Sequence, residues 1–598
     1  MKLSLLDWSV IAAYFLFNLG IGIYYARRAR GSTTDFFLSG RNVPWWLAGT
    51  SMVATTFAAD TPLAVTGFVA KNGIAGNWLW WNFVMSGMLT VFLYARLWRR
   101  AGVMTDIEFA ELRYSGKPAA FLRGFRALYL GLPINCIILG WVNLAMVKIL
   151  QITLGLDKRG AIMVVIGMLL FTAFYTAISG LWGVLVTDLF QFVLKMGMVI
   201  VLAILAVHAV GGIDALKTKI TALDAASGQA GSRLSFFPDY DSLWMPAITL
   251  FVYLGVNWWA SWYPGAEPGG GGYVAQRIFS AKDEKHGLLA TLWFNIAHYA
   301  LRPWPWILTA LASLILYPNL VDKESGYIMT LLDPNVFPTY LRGFMLAAFA
   351  AAYMSTIGTQ LNWGASYVIN DFYRRFVSRD SSERHYVIAS QLVTVLLMIV
   401  SLVVTFNLES IGGAWKLLLV TGAGTGTVLL LRWFWWRINA WSEVSAMVTA
   451  AVVSLFLQTY LKWDSDRPKD FAYLMLVTVG ITTIVWLAVT LFTSAEPMDK
   501  LVSFHRRVRP EGPGWKKVAA EAGVLEAHAG GTLSAQFANW ILGCALIYGS
   551  LFGIGKLIFK EWAIGSLYLL VAIAAGALIS WNLSRVGWQS FATEKTGS

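Results

Sequence analysis

Asp60 and Pro62 stand near the middle of a stretch, Trp45 to Val69, that is otherwise almost entirely apolar or small. A carboxylate inside hydrocarbon costs roughly 2.5–3.5 kcal/mol on insertion scales, and proline removes a backbone donor. A second interruption follows in "NWWASWYPGAEPGGGGYVAQR" (257–277), where Glu267 lies among Pro264, Pro268 and Gly269 to Gly272. A broken helix exposes free N–H groups on one half and free C=O groups on the other. The first holds a polar or anionic solute and the second a cation. Ser355 and Thr356 are adjacent hydroxyls in an otherwise apolar run. They are neutral oxygens of the kind a hard monovalent cation takes, although such hydroxyls also bond back to their own helix. Asp188 is a carboxylate early in another apolar run. The six histidines show no metal-ligand spacing with one another or with the two cysteines, so the chemistry in view is binding rather than catalysis.

The elements that must carry these groups are membrane helices. Of 598 residues, 57% are hydrophobic and 13% charged, and the mean hydropathy is +0.60. The apolar residues come in blocks of bilayer-spanning length without strand alternation. Fifteen segments are predicted, near 5–25, 43–69, 75–98, 120–151, 160–178, 181–210, 242–275, 287–317, 339–372, 386–406, 412–433, 442–462, 470–493, 535–556 and 562–583. The first is too long for a signal peptide. The net charge of +13 is not a nucleic-acid footprint, because it is concentrated in alternate loops. Arg27 to Arg41, Arg96 to Arg126, Arg374 to Arg384 and Arg506 to Lys517 all fall on one side if the N-terminus faces outward. That is the positive-inside pattern.

The two breaks lie five segments apart, as expected for discontinuous helices at matching positions of an inverted repeat. The organisation read from this has seven parts. Residues 1–42 form an extra helix and cytoplasmic loop, and 43–211 the first repeat. An extracytoplasmic loop at 212–240 leads to the second repeat, 241–437. Two accessory helices follow at 438–493, then a cytoplasmic loop at 494–534. The last part, 535–598, holds two C-terminal helices and a short tail.

Three stretches carry a family resemblance: "DFFLSGRNVPWWLAGTSMVAT" (35–55), "YTAISGLWGVLVTDLFQF" (175–192) and "LAAFAAAYMSTIGTQLNWGASYVINDFYRRF" (346–376), with "YVAQRIF" (273–279) after the second break. Over roughly residues 5–435 the chain resembles the sodium:solute symporter family. The resemblance implies an all-α fold, the five-plus-five inverted repeat of the leucine transporter with extra flanking helices. It implies a sodium site made by the carbonyls of Ala54 and Phe57 and by Ala352, Ser355 and Thr356. It gives Asp188 and Thr359 to the inward ion path or a second sodium site, with Gly358 where some members have serine. The solute side departs from the sugar carriers' pattern, and the candidates there are Asp60, Trp80 and Asn82 in "NWLWWNF", Glu267, His298 where sugar carriers have lysine, Arg302 and Lys416. Arg302 has a competing scaffold reading, as a partner of Glu267 or Asp60.

The expectation is therefore a secondary active transporter in the plasma (inner) membrane, N-terminus outside and C-terminus cytoplasmic, moving sodium with a small polar solute such as a sugar, amino acid or carboxylate. The alternatives are a proton-coupled carrier on the same fold, or a transporter-like sensor acting through a separate partner. Sodium is the one cofactor expected, and the reading calls for no nucleic acid and no obligate protein partner. "GAGTGTV" (422–428) lies inside a membrane segment, where its small residues serve helix packing rather than nucleotide binding. The 494–534 connector carries no catalytic pattern, and its basic residues suit anionic lipid.

Overall fold

The structure is a computed structural model, and it describes residues 3–28, 31–227, 232–239, 244–261, 265–408, 422–465, 467–523 and 533–586. Among these, ten helices are long and apolar enough to cross a membrane, and the bent pair Trp45–Thr56 with Thr61–Asn72 makes an eleventh span. Five of the fifteen segments read from hydropathy do not stand as separate long apolar helices among the described residues, for physical reasons. Two of the segments share one 52-residue helix, Lys158–Ala209, which turns at Gly180 with φ 57° and ψ −155°. Two are broken into short halves, at 43–69 and 242–275. The 287–317 segment is widened by a π turn at Ile296–Leu301, and 412–433 lies partly outside the described residues.

Burial separates core helices from flanking ones. In the Thr339–Val377 helix 94% of the apolar window is buried, against 22% for Leu5–Ala26 and for Trp562–Arg585. The Lys158–Ala209 helix packs on both Thr339–Val377 and Trp45–Thr56, and Pro303–Leu316 packs on Thr61–Asn72. Val43 pairs with the end of the second broken segment, accepting from the Lys282 N–H and donating to the Ser280 carbonyl, both at 3.0 Å. Gly426 lies so close to the Trp259 carbonyl that a Cβ would come within 1.9 Å. The small residues of 422–428 thus serve close packing against the second break.

The basic loops meet on one face of the molecule. Arg41 donates to the Gly102 carbonyl at 2.9 Å, Arg100 to that of Val508 at 3.3 Å and Lys500 to that of Glu111 at 2.7 Å. Arg123 pairs with Asp371 at 2.8 Å. The 494–523 part of the connector is docked rather than loose. It carries a helix at Met498–Val508, and the buried Trp515 donates to the Trp433 carbonyl at 2.7 Å.

Candidate functional site

The first broken helix ends at Thr56 and restarts at Thr61, bent by 58°. Phe57 leaves helical geometry at φ −91°, ψ 65°, so the last carbonyls of the first half lose their partners further along the helix. Pro62 enters at the first turn of the second half, where its missing N–H removes no helical bond. Asp60 sits just before that turn, at the positive end of the helix dipole, and its side chain makes no cap hydrogen bond. The local fold therefore places carbonyl oxygens and a carboxylate within one break.

Ser355 and Thr356 reach this break from the Thr339–Val377 helix. Ser355 Oγ donates to the Ala54 carbonyl at 2.7 Å. Thr356 Oγ1 donates to the Thr55 carbonyl at 2.8 Å, with the Ala352 carbonyl at 3.2 Å. All five residues expected at the cation site are thus neighbours. Their convergence point holds a residue the sequence reading missed. Lys195 Nζ donates to the Ala54 carbonyl at 2.8 Å, the Phe57 carbonyl at 3.2 Å and Ser355 Oγ at 3.0 Å. It also lies 5.0 Å from the Phe57 ring centroid. Three oxygens satisfy the three donors of an ammonium. Lys195 is the midpoint of the 181–209 arm and is buried. An ionisable residue at that depth in "LFQFVLKMGMVIVLAILAV" is itself a functional signal.

Asp188 lies seven residues earlier, two helical turns and about 10 Å along the axis. Its Oδ2 accepts from Ser51 Oγ at 2.5 Å, while its Oδ1 is buried without a hydrogen-bond partner among the described residues. Thr359 Oγ1 pairs with Thr55 Oγ1 at 2.9 Å and accepts from Arg277 at 2.7 Å. Arg277 also donates to Ser51 Oγ at 3.2 Å and to Gln276 Oε1 at 2.7 Å. Asp188 and Thr359 are joined through Ser51 and a guanidinium rather than facing one another directly. Arg277 belongs to "YVAQRIF", so a motif singled out for its resemblance supplies a cation to this region.

Beside the cage is a cavity of about 90 Å³ lined by Asp60, Trp80, His298 and Arg302, and also by Thr56, Gly265, Tyr273, Thr356 and Gln360. This is small against the 300–1,000 Å³ of typical ligand pockets. The π turn explains how His298 and Arg302 face the same way. Pro303 and Pro305 lack N–H groups, and Arg302 N–H reaches back to Ala297 at 3.1 Å. Arg302 donates to Thr56 Oγ1 at 3.0 Å and lies 3.3 Å from His298 Nε2. A guanidinium only donates, so that nitrogen is the acceptor. The ring proton is then on Nδ1, 2.9 Å from Thr56 Oγ1. Trp80 stacks on Tyr299 at 5.7 Å.

Other solute candidates fall elsewhere. Asn82 is buried in a polar pair, accepting from Asn257 at 3.1 Å, and does not line the cavity. Glu267 Oε2 accepts from the Gly265 N–H at 3.1 Å near Asp106, so its contacts stabilise the second break. Lys416 and Pro264 lie outside the described residues. Gln360 and Tyr273, which line the cavity, were not singled out from sequence. Both belong to the motifs that carried the resemblance.

With this geometry, the comparison with known proteins is decisive at the family level. The sodium:solute symporter family matches residues 36–450. The chain belongs to that family. It is 26% identical over 525 residues to a sodium/glucose cotransporter of Vibrio parahaemolyticus, covering 83% of this chain and 92% of that protein. It is 24% identical over 542 residues to the sodium/glucose cotransporter 1 of Oryctolagus cuniculus, covering 82% and 79%. A solved structure of a Na+-coupled sialic acid symporter in a substrate-bound outward-open state superposes with a TM-score of 0.66. It has 20% identity and covers 83% of this chain and 99% of that one. The symporter is thus an integral multi-pass membrane protein of the five-plus-five class, a sodium-coupled carrier and not a member of an enzyme family.

Proposed function

We propose that the symporter takes up a small polyhydroxylated solute, a sugar or polyol, together with sodium across the plasma (inner) membrane. Sodium binds the cage of Ala54, Phe57, Ala352, Ser355 and Thr356, and solute binds the adjoining cavity. One observation carries this assignment. Thr356 lines the cavity and its neighbour Ser355 lines the cage, so one helical turn touches both ligands. A cation bound in the cage tethers the first break to the Thr339–Val377 helix and shapes a wall of the solute cavity. Coupling then requires only that sodium bind one arrangement of that wall better than the other.

The choice of a hydroxyl-bearing solute rests on two buried acceptors on the cavity lining. Asp60 Oδ1 and Gln360 Oε1 have no hydrogen-bond donor among the described residues, and Trp80 offers a flat apolar wall. Hydroxyl groups donate to such oxygens, whereas a carboxylate does not. Relatives named for glucose and myo-inositol transport fit the same class. Asp188 and Thr359, with Arg277 between them, form the inward ion path. The repeats 43–211 and 241–437 move against one another around this fixed site. One sodium ion contributes about 2.3 kcal/mol per 100 mV of membrane potential, enough for more than tenfold accumulation of a neutral solute.

The test is uptake into proteoliposomes with an inward sodium gradient, screening radiolabelled hexoses, polyols, amino acids and carboxylates. Accumulation of a hexose or polyol that collapses when potassium replaces sodium is the expected result. Sodium-driven uptake confined to amino acids or carboxylates would overturn the solute assignment.

A further inference from the structure

The oxygens assigned to sodium are already held by a cation that belongs to the chain. Lys195 Nζ takes two backbone carbonyls of the first break and one hydroxyl of the Thr339–Val377 helix, at 2.8, 3.2 and 3.0 Å. No carboxylate among the described residues is paired with it at ion-pair distance. The nearest charges acting on it are Asp188, two turns back on its own helix, and Arg302 from the cavity side. The cage therefore fixes the lysine with neutral oxygens alone, the donor set expected for a monovalent metal cation.

We propose that Lys195 is a tethered competitor of sodium: its ammonium fills the cage in this conformation, and sodium enters only when the ammonium withdraws. The proposal rests on the assignment of the cage as the sodium site. Three features support it. The two cations would share the same three oxygens, so joint occupancy brings two positive charges together in a buried site. The lysine bridges the helices that sodium would tether, so this arrangement persists without the metal. The side chain is flexible and single-charged, with compact donors, so it can leave the cage without unfolding its helix. Sodium affinity in this chain is then set by a displacement, and the same displacement releases the tether between the first break and the Thr339–Val377 helix.

The experiment uses the purified full chain in detergent, with sodium chloride titrated against choline chloride at constant ionic strength and read by intrinsic tryptophan fluorescence and by melting temperature. Lys195→Met and Lys195→Gln remove the competing charge, the second retaining an amide donor if the first folds poorly. Both are expected to bind sodium at least tenfold more tightly than the wild type, and to show a larger sodium-dependent rise in melting temperature. Sodium affinity no tighter than wild type in the folded variants would overturn the proposal. Ser355→Ala with Thr356→Ala, placed in the Lys195→Met background, separates the two layers of the argument. Loss of the gained sodium affinity supports competition in this cage. Retention of it puts sodium elsewhere and overturns the cage assignment itself.

Discussion

Ser355 Oγ donates to the Ala54 carbonyl at 2.7 Å, joining residues 301 apart in sequence. The contact ties the first break to the most buried of the candidate membrane helices among the described residues, and Lys195 completes the same junction. Because the junction is made of neutral oxygens, its loss is expected to read out as weakened cation binding. In the double variant Ser355→Ala, Thr356→Ala, sodium stimulation of uptake is expected to fall at least tenfold. Each lost buried hydrogen bond costs about 1 kcal/mol, so the folded protein remains isolable. Normal sodium activation of uptake in this variant would remove the cage from the mechanism.

Asp60 lines the solute cavity with one carboxylate oxygen lacking a donor, and Arg302 acts on it electrostatically. Asp60→Asn keeps the shape and removes the charge, and also converts one acceptor position into a donor. Solute affinity is expected to drop by tenfold or more, while the sodium-induced change in melting temperature stays near wild type. Isothermal titration against the best solute checks this. Unchanged solute affinity with a lowered melting temperature would make Asp60 a scaffold residue.

Glu111, itself outside the spans, is the centre of an ion-pair network, bonded to Arg123 at 2.8 Å and to Arg375 at 2.9 Å. Burial alone would raise its proton affinity. Hydrogen bonds and charge from Arg375 and Arg123 outweigh burial and hold the carboxyl below its ordinary value of 4.5. A lowered folded-state value means the group stabilises the fold at pH above about 4.5 and loses that effect as pH falls through the lower folded value. Glu111→Gln is expected to cost about 1 kcal/mol at pH 7 after allowance for solvent screening. The gap in melting temperature between variant and wild type should narrow as the buffer is taken from pH 6 to pH 4. A gap that widens on acidification would contradict the assigned sign.

The breaks were legible because each violates a local rule: Asp60 and Pro62 in an apolar helix, Pro268 and four glycines in another. Gly270 adopts φ +78° with Thr90 so close that a Cβ would sit 2.7 Å away, a position where glycine is required. Ser355 and Thr356 were legible as adjacent hydroxyls, and the structure brings them to Ala54 and Thr55. Lys195 is equally visible as a charge inside an apolar run, but sequence spacing does not say which oxygens it meets. That depends on the packing of the Lys158–Ala209 helix against two others. Asn82 and Glu267 lie outside the lining of the cavity for a related reason. Polar groups near a break also satisfy one another, and only three-dimensional placement separates the Asn82–Asn257 pair from cavity walls.

The basic loops come together on one face of the molecule. Arg41, Arg100, Arg123 and Lys500 make contacts across four separate loops on that face, so a single orientation accounts for all of them. The positive-inside rule assigns it to the cytoplasm. Asp380 is exposed in the loop after Thr339–Val377, and Thr221 is exposed on the Gly212–Ser227 helix that follows Lys158–Ala209. Cys136 is buried and Cys544 half-buried, and replacing both by serine leaves a clean background. In intact cells an impermeant maleimide is expected to label Thr221→Cys and to leave Asp380→Cys unlabelled until the membrane is permeabilised. Folding defects are controlled by requiring uptake in both variants. Labelling of Asp380→Cys in sealed cells, with protection of Thr221→Cys, would place the basic face outside and reverse the direction assigned to every step of transport.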